Sequence, residues 1–269
     1  MKKCISIYYH NPSPEGFERQ VKRLIRKKYH CLSLSELQDW LNDSMDRKEK
    51  VAFISFDDGW EGNLALLPTI EKYNVPITIF VAVEPIISGN YWWEYVAADI
   101  GYKKMQSYKN LPYDEFCEKL KEIKSRINLR RSAMTMDELM KIARHPLVTI
   151  QSHTVNHPIL THLADDRLDR ELKVSRSELE KISGNSIFAF SYPNGSLSER
   201  EVNAVSKYYK LAFSTEQRHI SIHDNPLLLP RVALTGDYYR DLLKIYGIWS
   251  PVKKLYCRIK GWCQFSAFM

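Results

Sequence analysis

Cysteine is scarce in this sequence, and its spacing matches no disulfide framework. Five cysteines occur in 269 residues, and no two of them form a CxxC pair. Small disulfide-stabilised proteins use an even set, and cysteine zinc sites use closely spaced pairs. The spacing therefore argues against both classes of protein. The five are Cys4, Cys31, Cys117, Cys257 and Cys263.

Long hydrophobic runs are also absent. No apolar window approaches the ~20 residues that a membrane-spanning helix needs. The N-terminus has only a short β-like run before His10, whereas a secretory signal needs about 7–15 consecutive apolar residues. We therefore expect a soluble, reduced, cytoplasmic protein.

The overall composition is that of a globular protein with a mild basic excess. Hydrophobic residues make up 44% and charged residues 26%, which excludes a disordered or low-complexity chain. Lys and Arg outnumber Asp and Glu by 39 to 32, a net charge of +7. Because these basic residues are spread over several predicted helices and no nucleic-acid module is present, we expect no nucleic-acid partner.

Strands and helices alternate along most of the chain. Cys4–Tyr9 is predicted to be a strand, and the buried strands Val51–Phe56 and Val75–Val83 flank a helix. Two strands around one helix form a βαβ unit, which implies parallel pairing and a right-handed crossover. The stretch from Glu84 to about Arg131 interrupts this alternation, which then resumes. The pattern predicts an α/β barrel or a doubly wound sheet.

Two adjacent carboxylates, Asp57 and Asp58, end the strand Val51–Phe56 in the motif SFDDGW. In parallel α/β folds the carboxyl ends of the strands are where active sites assemble. Neighbouring side chains point in different directions, so one carboxylate can bind a metal while the other acts as a base. The alternative is a turn in which an aspartate caps the next helix and Gly59 supplies an unusual φ angle.

Two histidines, His153 and His157, lie four residues apart in the motif SHTVNHP. This spacing predicts that both imidazoles share one face of a helical turn, as in other two-histidine metal motifs. Imidazole together with carboxylate suits zinc or a similar divalent ion. The alternative is a surface turn with two incidental histidines.

A third motif, FAFSYPNG, breaks a buried strand at Tyr192-Pro193. A sharp turn at this point would expose backbone amides that can stabilise an oxyanion. The alternative is an ordinary connection with favourable turn residues.

In this order and separation, SFDDG, SHTVNHP and FSYPNG resemble the motifs of the polysaccharide deacetylases, the NodB-type domain of carbohydrate esterase family 4. The resemblance extends from about Cys4 to Leu234. It implies a distorted (β/α) barrel of about seven strands, with one catalytic domain over residues 1–245 and a tail over residues 246–269. It also implies a metal-dependent hydrolase that removes an N-acetyl or related N-acyl group from an amino sugar.

The resemblance also implies roles for individual residues. Asp57 would be the general base, and the oxyanion would lie between the metal and the backbone amide of Tyr192, with Pro193 on the substrate side. Metal-activated water would attack the acyl carbonyl. The divalent cation, with zinc as first candidate, would be bound by Asp58, His153 and His157.

Two departures from the family pattern concern the general acid and an arginine. The usual late histidine has only His223 as a counterpart, whereas His10 directly follows the first strand, as in a permuted subgroup whose histidine-bearing strand comes first. We assign His10 as the general acid; the alternative for this residue is a turn cap. No arginine precedes FAFSYP, and Arg231 is the replacement by position that would orient Asp57. A structural salt bridge is the other interpretation of Arg231.

The substrate and the setting are predicted from two aromatic segments. Trp92 and Trp93 would form a platform for a sugar ring, with burial in the core as the alternative. The tail mixes aromatic and basic residues, which is typical of an interfacial helix on a membrane; docking on the barrel is the alternative. Without an export signal, the substrate could be a lipid-linked or nucleotide-linked precursor as well as a polysaccharide or oligosaccharide. A catalytically inactive glycan-binding barrel is the alternative function.

Overall fold

The computed structural model describes residues 3–42, 44 and 50–247. The strands within these residues are β1 (Lys3–Tyr9), β2 (Tyr29–Leu32), β3 (Lys50–Asp58), β4 (Ile77–Val81), β5 (Val148–Ser152), β6 (Ala189–Ser191), β7 (Leu211–Phe213), β8 (Ile220–Ser221) and β9 (Val232–Ala233). The helices are α1 (Pro14–Arg26), α2 (Leu34–Leu41), α3 (Leu67–Tyr73), α4 (Val83–Ser88), α5 (Trp92–Ile100), α6 (Tyr102–Met105), α7 (Tyr113–Arg126), α8 (Met136–Ala143), α9 (Asp165–Ser183), α10 (Glu199–Ser206) and α11 (Tyr238–Ile245).

One mixed sheet organises the molecule. Its main path runs β7-β6-β5-β4-β3-β1, and all of these neighbours are parallel. The first half of β3 also pairs with β2, while β1 pairs on its other side with the antiparallel β8 and the parallel β9. The predicted βαβ unit is confirmed, because β3 and β4 are parallel and α3 lies between them in the chain.

The segment that leads into β9 closes the sheet into a barrel. Leu229 forms a parallel bridge with Phe213 of β7, its amide donates to the Ala212 carbonyl at 2.8 Å, and its carbonyl accepts from Ser214 at 2.8 Å. Immediately afterwards β9 pairs with β1. The ring β1-β3-β4-β5-β6-β7-β9 therefore confirms the predicted barrel of about seven strands over the doubly wound alternative.

Helix boundaries follow local capping signals. The Ser33 hydroxyl accepts the amide of Glu36, and the Glu36 carboxylate accepts the amide of Ser33, so this reciprocal pair starts α2 at Leu34. The long helix α9 ends at Ser183, and Gly184, with a φ of +68°, forms its C-terminal cap.

The interruption predicted from Glu84 to Arg131 contains helices α4 to α7. Helices α5 to α7 pack around their own small apolar cluster, whereas Val83 and Ile86 of α4 belong to the main core. The buried members of the small cluster are Trp92, Tyr95, Val96, Met105 and Ile123.

The predicted tail over residues 246–269 lies outside the described residues except for Tyr246 and Gly247. Tyr246 receives the Arg23 guanidinium over its ring at 5.0 Å. The division at residue 245 and the membrane contact of the tail therefore stay predictions. No helix in the part of the chain described here has the length and hydrophobicity needed to cross a membrane.

Replacing Phe53 with alanine tests the packing inside the barrel. Phe53 of β3 stacks on Phe213 of β7 with ring centroids 5.2 Å apart, although these strands are not neighbours in the sheet. We expect Phe53→Ala to lower the free energy of unfolding by about 3–5 kcal/mol, measured by urea denaturation. Ile25→Ala, at a side chain that is 41% exposed, should cost less than about 1 kcal/mol. Equal losses in the two variants would contradict this packing.

Candidate functional site

The three sequence motifs meet at one edge of the barrel. Asp58 ends β3, Ser152 ends β5 and Ser191 ends β6, and these strands are parallel. Tyr9 ends β1, which is parallel to β3, so His10 reaches the same edge. The carboxyl ends of parallel strands therefore bring together side chains that lie far apart in the chain.

Asp58, His153 and His157 converge on one point. The Asp58 Oδ1 atom lies 3.5 Å from His153 Nε2 and 3.4 Å from His157 Nε2, and the three ligand atoms lie within 4.8 Å of one another. All three side chains are buried, and Asp58 Oδ1 has no hydrogen-bond partner among the described residues. Ligands about 2.1 Å from a tetrahedral zinc are separated by about 3.4 Å, so the spacing fits a divalent cation.

Neighbouring groups prepare these side chains as ligands. His153 Nδ1 donates to the Ser191 carbonyl at 2.7 Å, which leaves the Nε2 lone pair facing Asp58. Burial lowers the pKa of both His153 and His157, which favours the neutral imidazole that binds metals. Burial also raises the pKa of the Asp58 carboxyl, so a bound cation would favour its ionised form.

The prediction that the two histidines share a helical turn is wrong. Residues 153–157 form an irregular loop in which Thr154 and His157 have φ angles of +72° and +52°. The Thr154 hydroxyl accepts the His157 amide at 3.0 Å, and this turn brings the imidazole centroids to 4.8 Å. Asp58 also has a positive φ, +78°, so left-handed backbone occurs at two of the three candidate ligands.

Asp57 forms a buried ion pair with Arg231. The Arg231 Nη1 and Nη2 atoms donate to the two Asp57 oxygens at 2.7 and 2.9 Å. The same guanidinium donates to the hydroxyls of Ser55 and Ser191 at 3.0 and 2.6 Å and lies 4.2 Å from the Tyr8 ring centroid. Burial raises the pKa of Asp57, but Arg231, together with the charges of His153 and His10, lowers it to about 2, so the carboxylate is ionised at neutral pH.

His10 and His223 lie at opposite ends of β1. His10 is exposed at the edge that carries the site, close enough for its charge to favour the ionised forms of Asp57 and Asp58, although burial keeps the pKa of Asp58 raised. His223 comes two residues after Ser221, which pairs with Lys3 at the start of β1. The strand separates the two ends by roughly 20 Å at about 3.3 Å per residue. The structure therefore brings His10, and not His223, to the edge that carries the candidate metal ligands.

Tyr192 does not offer the free amide predicted from the turn. Its amide donates to the Phe213 carbonyl at 3.1 Å, and its hydroxyl donates to the Leu227 carbonyl at 3.1 Å. Both groups hold the edge of the barrel together, so the prediction of an oxyanion donor at the Tyr192 amide is wrong. Pro193 follows in the turn and is buried beside the site strand β6.

The two tryptophans have different positions. Trp92 is 4% exposed, and its indole nitrogen donates to the His157 carbonyl at 3.1 Å, so its prediction as a sugar platform is wrong. Trp93 is half-buried; its ring meets the His157 imidazole edge-on at 4.7 Å and stacks on Tyr91 at 4.7 Å. Of this pair, Trp93 lines the site.

Several residues of the site were not predicted from the sequence. Trp60 follows the DDG motif directly, and its indole nitrogen donates to Asp58 Oδ2 at 2.9 Å, which leaves Oδ1 facing the histidines. Asn63 donates to the His10 carbonyl at 2.9 Å. Glu171 is a charged residue on the inward face of α9, a signal that the sequence does contain. The serines around Arg231 carry no comparable signal.

The comparisons with known proteins agree on one family. The sequence model for polysaccharide deacetylase matches residues 44–212. YxkH of Bacillus subtilis, named as a polysaccharide deacetylase, is 23% identical over 221 residues, which cover 81% of this chain and 64% of that protein. The chain thus spans less than two thirds of the length of this relative.

Solved structures share the fold at low sequence identity. The Streptococcus pyogenes deacetylase PplD, in complex with acetate, has a TM-score of 0.68 at 21% identity and covers 90% of this chain and 97% of its own. IcaB from Ammonifex degensii has a TM-score of 0.64 at 15% identity, with coverages of 92% and 97%. At these identities the likeness establishes the barrel fold.

A double-mutant cycle tests the buried pair of Asp57 and Arg231. Arg231→Met should lower the free energy of unfolding by about 3–5 kcal/mol, because it leaves a buried carboxylate without its counter-charge. Adding Asp57→Asn should recover part of that loss in urea denaturation. Arg218→Met, at a half-exposed arginine paired with Glu216 and Asp224, should cost about 1 kcal/mol or less. Strictly additive effects of the two core substitutions would contradict the pairing.

Proposed function

The chain belongs to the polysaccharide deacetylase family, and on that premise we propose that it is a metal-dependent hydrolase that removes an N-acetyl or related N-acyl group from an amino sugar of a glycan. The observation that carries the proposal is the convergence of a buried Asp-His-His set, Asp58, His153 and His157, next to a second, ionised carboxylate. One carboxylate is oriented toward the histidines and the other toward an arginine, so the two can have different tasks.

Asp58, His153 and His157 would hold the cation. Two imidazoles and one carboxylate suit zinc, which is our first candidate, and such a set leaves a coordination position open for a small molecule. A divalent cation here supplies Lewis acidity, which makes water a nucleophile near neutral pH. Two hydrogen bonds would keep the ligand atoms in place: His153 donates to the Ser191 carbonyl, and Trp60 donates to Asp58.

Asp57 would act as the general base. Its two oxygens each accept one bond from Arg231, and Oδ2 also accepts the Ser191 hydroxyl at 3.3 Å, which fixes the plane of the carboxylate and leaves a lone pair on Oδ1. This lone pair would accept a proton from the attacking water. In this role Arg231 would replace the arginine that the family pattern places near the third motif. It would orient the base from its position directly before β9.

His10 would act as the general acid. It is exposed at the rim, where a substrate can reach it, while its backbone carbonyl is held by Asn63. The protonated imidazole would donate to the nitrogen of the leaving amine as the C–N bond breaks.

The aromatic residues beside the ligands support a sugar substrate. Trp93 packs on both His157 and Tyr91, and it is partly accessible. Aromatic faces suit the apolar C–H faces of sugar rings. That the glycan is a lipid-linked or nucleotide-linked precursor, handled in the cytoplasm or at the inner face of the membrane, is a proposal that rests on the sequence alone.

A mass-spectrometric assay for acetyl loss tests the activity. Purified protein with Zn²⁺ should deacetylate at least one of three classes: free chito-oligosaccharides, nucleotide-linked or lipid-linked N-acetyl sugars. Asp57→Asn should retain bound zinc but lose about 10²–10⁴-fold in turnover, because the base is removed while the ligands stay. His153→Ala, in contrast, should lose the metal. Binding of these glycans without any acetyl loss would instead favour the inactive glycan-binding barrel.

A comparison of two histidine variants tests the general acid. His10→Ala should lower kcat by about 10²-fold or more and remove the limb of the pH–rate profile that reports the acid. His223→Ala is the matched control, because this exposed histidine lies at the other end of β1, and it should retain the wild-type rate. Loss of activity in His223→Ala alone would reverse the assignment.

A further inference from the structure

The loop between the two histidines cannot maintain its conformation by itself. Residues 153–157 have no regular secondary structure, and Thr154 and His157 have left-handed backbone angles. Such conformations persist in non-glycine residues only where the surroundings enforce them. The spacing of the two imidazoles therefore depends on the groups that bind the backbone of this loop.

The start of α4 binds carbonyl groups of this loop. The amides of Val83 and Glu84 donate to the carbonyls of Thr154 and Val155 at 3.2 and 2.8 Å. These contacts satisfy carbonyl groups only. The amides in the middle of the loop need an acceptor from elsewhere.

A single side chain, Glu171 of α9, supplies that acceptor. Its Oε2 atom accepts the amides of Val155 and Asn156 at 2.8 and 3.0 Å. Its Oε1 atom accepts the Asn156 side-chain amide at 2.6 Å. Three hydrogen bonds from one carboxylate thus hold the residues that lie between the two candidate ligands.

The position of Glu171 in α9 argues for a specific task. It is 6% exposed and lies on the inward face of the helix, which also carries Leu168, Leu172 and Leu179. Burial of a carboxylate is unfavourable unless hydrogen bonds compensate for the lost water. An apolar residue would pack well at this position, but it would leave the two loop amides without acceptors.

We propose that Glu171 is a positioning residue of the metal centre: by binding the Val155 and Asn156 amides, it sets the separation and orientation of His153 and His157 relative to Asp58. This inference rests on the proposed function only in that the site must bind a metal ion. A merely structural Glu171 would stabilise the protein without changing how tightly or in which geometry the ion is bound.

Direct metal titration of the full chain distinguishes these roles. Zn²⁺ affinity is measured by competition with a chromophoric chelator, and coordination geometry by the visible d–d absorption of Co²⁺. Glu171→Ala should weaken Zn²⁺ binding by about 10–100-fold and change the Co²⁺ band, as expected for an outer-shell partner of metal ligands. Glu171→Gln should stay within a few-fold of wild type, because its amide oxygen still accepts the two loop amides.

Glu201→Ala is the matched control. Glu201 is also a buried glutamate that accepts a backbone amide, that of Ser198 at 2.7 Å, but it caps its own helix α10. Its replacement should lower thermal stability without a change in Zn²⁺ affinity or in the Co²⁺ spectrum. Should Glu171→Ala not fold, Asn156→Ala removes the Oε1 contact from the loop side, and a weaker Zn²⁺ affinity is again expected.

The metal-binding results separate this inference from the proposed function. Wild-type Zn²⁺ affinity and an unchanged Co²⁺ band in both Glu171→Ala and Asn156→Ala would overturn the role of Glu171, even if the enzyme deacetylates a glycan. A loss of Zn²⁺ affinity in Glu201→Ala as large as that in Glu171→Ala would overturn it too. Weakened binding with rescue by Glu171→Gln supports the role, even if no glycan tested loses an acetyl group. A wild-type protein that binds no Zn²⁺ would remove both proposals.

Discussion

The buried ion pair between Asp57 and Arg231 connects the closure of the barrel with the formation of the site. Arg231 directly precedes β9, the strand that completes the ring, and it reaches Asp57 near the end of β3 on the other side of β1. Hydroxyls from two strands and the Ser214 carbonyl complete its hydrogen bonds, and the Tyr8 ring covers its face. Because an unpaired buried carboxylate is costly, Asp57 favours the closed barrel, and the closed barrel orients Asp57.

The candidate ligands depend on backbone that local sequence does not favour. Asp58 and His157 both have positive φ angles. Trp60 donates to the Asp58 carboxylate, the Thr154 hydroxyl accepts the His157 amide, and Trp92 of α5 donates to the His157 carbonyl. Strained conformations of this kind concentrate at functional sites. The helices between Glu84 and Arg131 therefore contribute to the site without presenting a metal ligand, because the buried Trp92 donates to the His157 carbonyl.

The predictions that failed share a physical cause. Two histidines four residues apart can be brought together by a helical turn, but also by a loop with two left-handed residues. Only the tertiary contacts of the loop decide between these conformations. The Tyr192 amide was predicted to be free because it precedes a turn, yet its partner, Phe213 of β7, is known only once the strands are paired. The same holds for Trp92, whose burial depends on how α5 packs against α7.

The residues themselves determined the strand–helix alternation, the parallel sheet, the family resemblance and the candidate residues Asp57, Asp58, His153 and His157, because burial patterns and motif order are properties of the chain alone. Only the tertiary structure decided that the sheet closes into a barrel and that Arg231 pairs with Asp57. It also decided that His10 and not His223 reaches the site, and that Glu171 holds the loop between the histidines. Each of these depends on contacts between residues that are distant in sequence, and such contacts leave no periodic signal in it.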